Sequence, residues 1–192
     1  GTAPVEAFQA QPPKWSVLPG MPPIIDPRNI YSETTSDKIS AKIKNLPPRI
    51  YVPNAQGRSV SVIDPVAMKV IATIPAGKEP QHVVPSWDLS ALYATNDLSD
   101  TLTMIDPATG KFVKTIPVAD PYNLYFTPDG KLAIVVADRL RRLDFADPVT
   151  FKVKESLKVP CKGVDHIDFS ADGRYLIATC EFSGELIKVD VA

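Results

Sequence analysis

Residues 81–106 read QHVVPSWDLSALYATNDLSDTLTMID, and this stretch decides the fold. Residues 122–147, YNLYFTPDGKLAIVVADRLRRLDFAD, and residues 165–190, DHIDFSADGRYLIATCEFSGELIKVD, repeat its internal order. Each holds an apolar run, a polar turn, a second apolar run, a polar loop, and a third run closing on aspartate. The closing residues Asp64, Asp106, Asp147 and Asp190 follow one another at 42, 41 and 43 residues. A fixed period in the low forties, built of strand-length apolar runs, predicts the blades of a β-propeller.

Aligned on this period, the chain from residue 47 to 192 divides into blades. RIYVPN, SVSVID and KVIATIP are rich in β-branched residues and bounded by turn residues, so they read as the second, third and outermost strands of a first blade. Two complete blades follow, with innermost strands at His82–Ser86 and Leu124–Thr127. A last blade starts at His166–Phe169 and reaches Leu186–Val189. Pro128-Asp129-Gly130 and Ala171-Asp172-Gly173 form the inner hairpin turns, where glycine supplies a positive φ; Trp87-Asp88-Leu89 stands there without one. The expected fold is therefore all-β: a partial propeller of about three to four four-stranded antiparallel blades. A closed ring needs at least four and commonly six to eight. The expectation is the N-terminal part of a longer protein, its ring completed by further blades or another chain.

Residues 1–46 form a Pro-rich arm. Pro12, Pro13, Pro19, Pro22, Pro23 and Pro27 favour extended backbone, while Trp15, Leu18, Met21, Ile24, Ile25, Ile30 and Tyr31 are too apolar for a solvated linker. The arm is expected to pack along the outside or bottom of the blades, with one short helix over 36–44. The chain opens on Gly1, and GTAPVEAFQAQPP suits the start of a mature exported protein, which implies an extracytoplasmic location.

Charge is balanced, 21 Lys and Arg against 22 Asp and Glu, and the one basic cluster is Arg139, Arg141 and Arg142. That excludes the basic face a nucleic-acid partner requires. Apolar runs are strand-sized, well short of the ~18 residues of a membrane span.

The only two histidines, His82 and His166, begin innermost strands in different blades, each seven residues before the inner turn; Asn123 holds that position between them. The three are expected at one mouth of the axial channel, with Asp165 and Glu181 beside them. Asp97, Asp100, Asp138 and Glu185 add to an anionic rim. Imidazole is a common metal ligand and a near-neutral acid–base, so His82 and His166 are the metal candidates. The competing reading is that they satisfy backbone groups at the channel mouth. Cys161 and Cys180 flank the hairpin 163–179; a disulfide, two free thiols, or a thiolate ligand beside His166 and Glu181 are the alternatives. No CxxC, CxxCH or HExxH spacing occurs, which argues against covalent haem and zincin chemistry. The recurrent Asp64, Asp106, Asp147 and Asp190 read as turn formers.

Residues 49–192 resemble the YVTN family of β-propeller repeat proteins. The resemblance is carried by RIYVPN, SVSVIDPVAMKVIATIPAGKEP, ALYATN, TLTMIDPATGKFVKTIPVADP, TPDGKLAIVVAD and SADGRYLIATC. It implies a bacterial or archaeal propeller, often exported, and distantly similar to lactonase-like propellers and the haem-binding propeller of nitrite reductases. Cys180, standing where the repeat has Asn96, and the Arg139–Arg142 loop depart from the pattern. The function expected is a non-catalytic exported binding or scaffold module that offers its axial face and loops to a protein or small-molecule ligand and requires no cofactor. The alternative is a redox propeller holding copper or haem on the His82/His166 face; a third is a lactonase-like hydrolase.

Overall fold

A computed structural model describes residues 16–17 and 23–191. Its fourteen strands form four antiparallel sheets. The first holds β1 (Ile50–Asn54), β2 (Ser59–Asp64) and β3 (Lys69–Pro75). The second runs β4 (Pro80–Pro85), β5 (Leu92–Asn96), β6 (Thr101–Asp106) and β7 (Lys111–Pro117). The third runs β8 (Asn123–Phe126), β9 (Ala133–Ala137), β10 (Arg142–Ala146) and β11 (Val153–Lys158). The fourth holds β12 (Val164–Phe169), β13 (Tyr175–Cys180) and β14 (Glu185–Asp190). Strand order within each sheet follows the chain, so each is a meander, and β4, β8 and β12 are the innermost strands. This is the partial β-propeller the repeat predicts.

Sheets stack face to face, so a middle strand is covered on both sides and loses the usual in–out alternation. All five residues of β9, AIVVA, are buried. Three seams hold the stack. Val60, Val62 and Ile74 meet Ala94 and Ile105 between the first two blades. Tyr93 and Leu102 meet Leu124, Phe126 and Phe151 at the next seam. Ile134, Val136 and Leu143 meet Val164, Ile167, Leu176 and Ala178 at the third. Each large side chain so buried contributes about 1.5–3 kcal/mol.

The turns repeat as faithfully. In each inner hairpin a hydroxyl reaches the aspartate two residues on: Ser86 to Asp88 at 2.8 Å, Thr127 to Asp129 at 2.7 Å, Ser170 to Asp172 at 2.7 Å. The next residue is left-handed every time, with φ of 60° at Leu89, 69° at Gly130 and 68° at Gly173. Leu89 thus takes a backbone conformation that its Cβ disfavours. The carboxylates of Asp64, Asp106 and Asp147 each accept backbone N–H groups of the following turn.

The arm crosses the propeller face where the innermost strands end. The Ile30 N–H donates to the Ala171 carbonyl at 2.8 Å. The Tyr31 hydroxyl donates to Asp168 and accepts from the Phe169 N–H at 2.9 Å. Burial, reinforced by the Asp168 carboxylate, pushes Tyr31 up to about 12. Further on, Lys42 pairs with Asp88 at 3.4 Å, and Ile39, Ile43 and Leu46 line a cavity of about 520 Å³ together with Leu89 and Leu92. The helix expected over 36–44 does not form. Turns at 36–37 and 41–45 replace it, because the Ser40 side chain accepts the Lys42 N–H and Pro47-Pro48 blocks continuation. The expectations for Trp15, Leu18 and Met21 lie outside the described residues. No helix among those residues is long and apolar enough to cross a membrane.

Candidate functional site

Two inner strands begin with the same local defect. In β4 the register shifts between Pro80 and Val83, and in β12 between Val164 and Ile167. Gln81-His82 therefore lie opposite Thr95, and Asp165-His166 opposite Thr179. The threonine hydroxyls accept the histidine amides, His82 at 3.1 Å and His166 at 3.2 Å. In the intervening blade the matching residue is Val136, which has no hydroxyl. There Asn123 pairs with Val136, and the Val136 carbonyl also accepts the Tyr122 N–H at 3.0 Å.

This difference decides which side chains meet. His82 and His166 converge edge to face, ring centroids 5.3 Å apart. The third member is Tyr122, with centroids 5.3 Å from His82 and 6.1 Å from His166. Asn123 turns back on its own strand, donating to the Tyr125 hydroxyl at 3.0 Å and accepting the Leu124 N–H at 2.8 Å, and is buried. A slip of one residue moves a side chain to the opposite face. Tyr122 supplies the third ring of the cluster, while Asn123 lines the same groove as His82 and His166. The signal was present in the sequence as Thr95, Val136 and Thr179 at one position of the repeat.

His82 Nδ1 lies 2.9 Å from the Tyr122 carbonyl, so the proton sits on Nδ1 and Nε2 keeps its lone pair. The same carbonyl accepts from Thr95 Oγ1 at 3.0 Å. Burial pushes His82 below its ordinary value, opposed by that carbonyl and helped by nearby His166. His166 is more exposed; its Nδ1 lies 3.5 Å from Asp165, whose carboxylate also accepts from Thr179 Oγ1 and the His166 N–H. Burial raises Tyr122, and Asp165, Glu181, Asp138 and Asp97 raise it further. Burial likewise raises Asp138, reinforced by Asp120, Asp165 and Glu181. The mouth is thus anionic. Below it a groove of about 590 Å³ runs along β4 and β8, with His82, His166 and Asn123 at its polar end and Val84, Leu124 and Phe126 among its walls.

Beside the mouth, Arg139 binds the carboxylates of one seam: Asp120 at 2.8 Å, Asp100 at 3.3 Å and Asp97 at 3.6 Å. The Asp120 contact is ionic, since Asp120 Oδ1 has no aligned hydrogen-bond donor. The other two arginines serve elsewhere, Arg141 on the Pro160 and Cys161 carbonyls and Arg142 on Asp144.

Cys161 and Cys180 form a disulfide with Cα atoms 6.0 Å apart, both buried. It clamps the chain leading into β12 against the end of β13, next to the displaced pair Asp165-His166. Neither thiol is free as a ligand. Among the described residues no group of three His, Cys, Asp or Glu side chains is placed to hold a metal ion. The two imidazoles alone fit at most two positions on a copper or haem iron.

A profile of the family described as YNCE-like beta-propeller matches residues 18–192. No curated protein matches the chain. Among solved structures, hydrazine synthase of Kuenenia stuttgartiensis superposes at a TM-score of 0.63 and 25% identity, covering 74% of this chain and 43% of that one. The periplasmic gluconolactonase PpgL of Pseudomonas aeruginosa gives 0.62 and 19%, covering 76% and 48%. Dihydro-heme d1 dehydrogenase NirN, in complex with DHE, gives 0.53 and 24%, covering 74% and 32%. The chain spans less than half the length of each, and these likenesses carry the fold.

Proposed function

We propose, from the premise that the chain belongs to the YNCE-like β-propeller family, that it is a non-catalytic binding module whose axial mouth, at His82, Tyr122 and His166, receives a ligand or partner outside the cytoplasm. The observation that carries this reading is the convergence of three rings from three blades, two of which, His82 and His166, line a groove of about 590 Å³. Concave sites with apolar walls and a few polar groups are where small ligands and partner side chains bind. The rings offer hydrogen bonds and π faces, and Asp138, Asp165 and Glu181 bias the mouth toward cationic or proton-donating groups. A disulfide persists in oxidising compartments, which supports an extracytoplasmic location. In this reading residues 1–46 are an accessory arm and 47–192 the binding body.

One observation favours a second reading, a redox propeller. His82 donates through Nδ1 to a backbone carbonyl and so presents Nε2, the arrangement typical of metal-bound histidine. A copper ion or haem iron there would need further ligands from outside the described residues. The named activities of the hydrazine synthase and the gluconolactonase belong to those proteins. A lactonase-like hydrolysis would need an acid–base pair on the axis beyond these imidazoles.

Metal content and haem absorbance of the purified protein separate the readings, measured beside His82→Ala and His166→Ala. The binding reading expects substoichiometric metal and no haem band in all three proteins. Stoichiometric copper or haem that disappears in both variants would overturn it in favour of redox chemistry.

A further inference from the structure

The hydrogen-bonding groups at the polar end of the axial groove are nearly all committed, and what they leave free is of one kind. Asn123 is spent on its own strand, donating to the Tyr125 hydroxyl at 3.0 Å and accepting the Leu124 N–H at 2.8 Å. His82 directs Nδ1 to the Tyr122 carbonyl at 2.9 Å, and His166 turns Nδ1 toward the Asp165 carboxylate at 3.5 Å. Both ring protons are thereby placed on Nδ1, and each Nε2 keeps its lone pair. The walls beyond, Val84, Leu124, Phe126 and Trp87, are apolar or aromatic, and no Lys, Arg, Asp or Glu side chain lines the groove. The imidazoles at this end accept hydrogen bonds and offer none, so the ligand brings the donors.

Charge narrows the choice. Asp165 lies against His166, Glu181 follows the Cys180 that pairs with Val164, and Asp138 lies two residues beyond the Val136 whose carbonyl accepts the Tyr122 N–H. Arg139, the guanidinium beside the mouth, is already engaged by Asp120, Asp100 and Asp97. A neutral donor would satisfy the imidazoles and leave these carboxylates without a counterion. An ammonium ion satisfies both, and rings such as those of His82, Tyr122 and His166 attract a cation to their faces.

We propose that the groove takes an organic ammonium ion, its primary amine held between His82 and His166 and its alkyl or aryl body laid along β4 and β8 toward Trp87.

This rests on the binding reading above and adds the ligand's chemistry and orientation to it. The four residues of β8, Asn123–Phe126, carry the groove for about 13 Å at ~3.3 Å per residue, which suits an unbranched body of medium length.

The test is an NMR titration of the full chain, carrying heavy nitrogen in its histidines and tryptophans, with butyl-, hexyl- and octylammonium chloride. Hexanol, hexanoate and sodium chloride serve as matched controls. At about pH 8 an alkylammonium keeps its charge. The Nε2 resonances of His82 and His166 should move with every amine, and the Trp87 indole N–H only with the longer ones. Each added methylene should tighten binding about fourfold, and hexylammonium should bind roughly tenfold more tightly than hexanol. His166→Phe keeps a ring but removes the lone pair, and should weaken hexylammonium roughly tenfold; should it fail to fold, the wild-type titrations decide alone. Hexanol or hexanoate binding as tightly as hexylammonium would overturn the ammonium assignment and leave the binding reading standing. Trp87 responding equally to butyl- and octylammonium would overturn the orientation. No response to any amine at millimolar concentration would overturn the proposal as a whole, whereas the binding reading falls on stoichiometric copper or haem, a separate measurement.

Discussion

Removing the bond between Cys161 and Cys180 tests how the fourth blade is held. The bridge closes a loop of 19 residues in sequence. By the chain-entropy relation, opening a loop of that size restores enough freedom to the unfolded chain to cost about 3 kcal/mol. In a protein of 192 residues, at about 2–4 °C per kcal/mol, the melting temperature should fall by roughly 6–12 °C. The assay is calorimetry on three samples: oxidised wild type, wild type reduced and held in reductant, and Cys161→Ala/Cys180→Ala. Reduction removes the constraint alone, whereas the double variant also leaves a small void where two buried sulfurs stood, so it should melt slightly lower still. The bulge at Asp165-His166 sits against the clamped end of β13, so the His166 ring should lose its fixed contacts with Tyr122 and His82 in both perturbed samples. A fall under ~2 °C in both would refute the reasoning, as would two thiols titrating in the unreduced, denatured protein.

Two further substitutions read the repeat itself. Gly130→Ala places a Cβ 2.4 Å from Trp87 in a backbone with φ of +69°, whereas Gly184→Ala meets nothing within 4 Å at φ of +64°. Denaturant unfolding should show a loss of about 1–2 kcal/mol for Gly184→Ala, from the left-handed backbone alone, and a clearly larger one for Gly130→Ala; equal losses would mean that Trp87 gives way freely. Tyr31→Phe removes the hydroxyl that ties the arm to Asp168 and Phe169. It should cost about 1 kcal/mol and speed tryptic cleavage at Lys38, Lys42 and Lys44; unchanged cleavage would show that the arm is held by other contacts.

Strand positions were legible because each blade repeats the same physical constraints. The closing aspartates anchor turns, the inner hairpins need left-handed residues, and the apolar runs have strand length. Leu89 shows how far that logic reaches, since it takes the glycine conformation in a turn without glycine. The axial site was legible only in part. Counting back from the inner turn put His82, Asn123 and His166 in one row, and all three line one groove. Thr95 and Thr179 hold the histidine amides through their hydroxyls, whereas Val136 holds the Tyr122 amide through its carbonyl. Periodicity therefore found the histidines and missed Tyr122. Of the seam acids, Asp97 and Asp100 were legible as part of an anionic rim and Asp120 was not, and the grouping of all three on Arg139 depends on how two blades meet. No single blade's sequence encodes that.

The arm that leaves the fourth blade at Ala171 and reaches the second at Asp88 has a mechanical meaning. A row of blades joined only to neighbours accumulates small errors of angle, as any stack of repeats does. A segment fastened to both sides of the bend acts as a chord across an arc and fixes its curvature. Curvature sets how closely the inner strands approach, and hence the spacing of rings carried by three of them on the opposite face. The geometry of the histidine mouth is thus held at a distance, by a strap that never touches it.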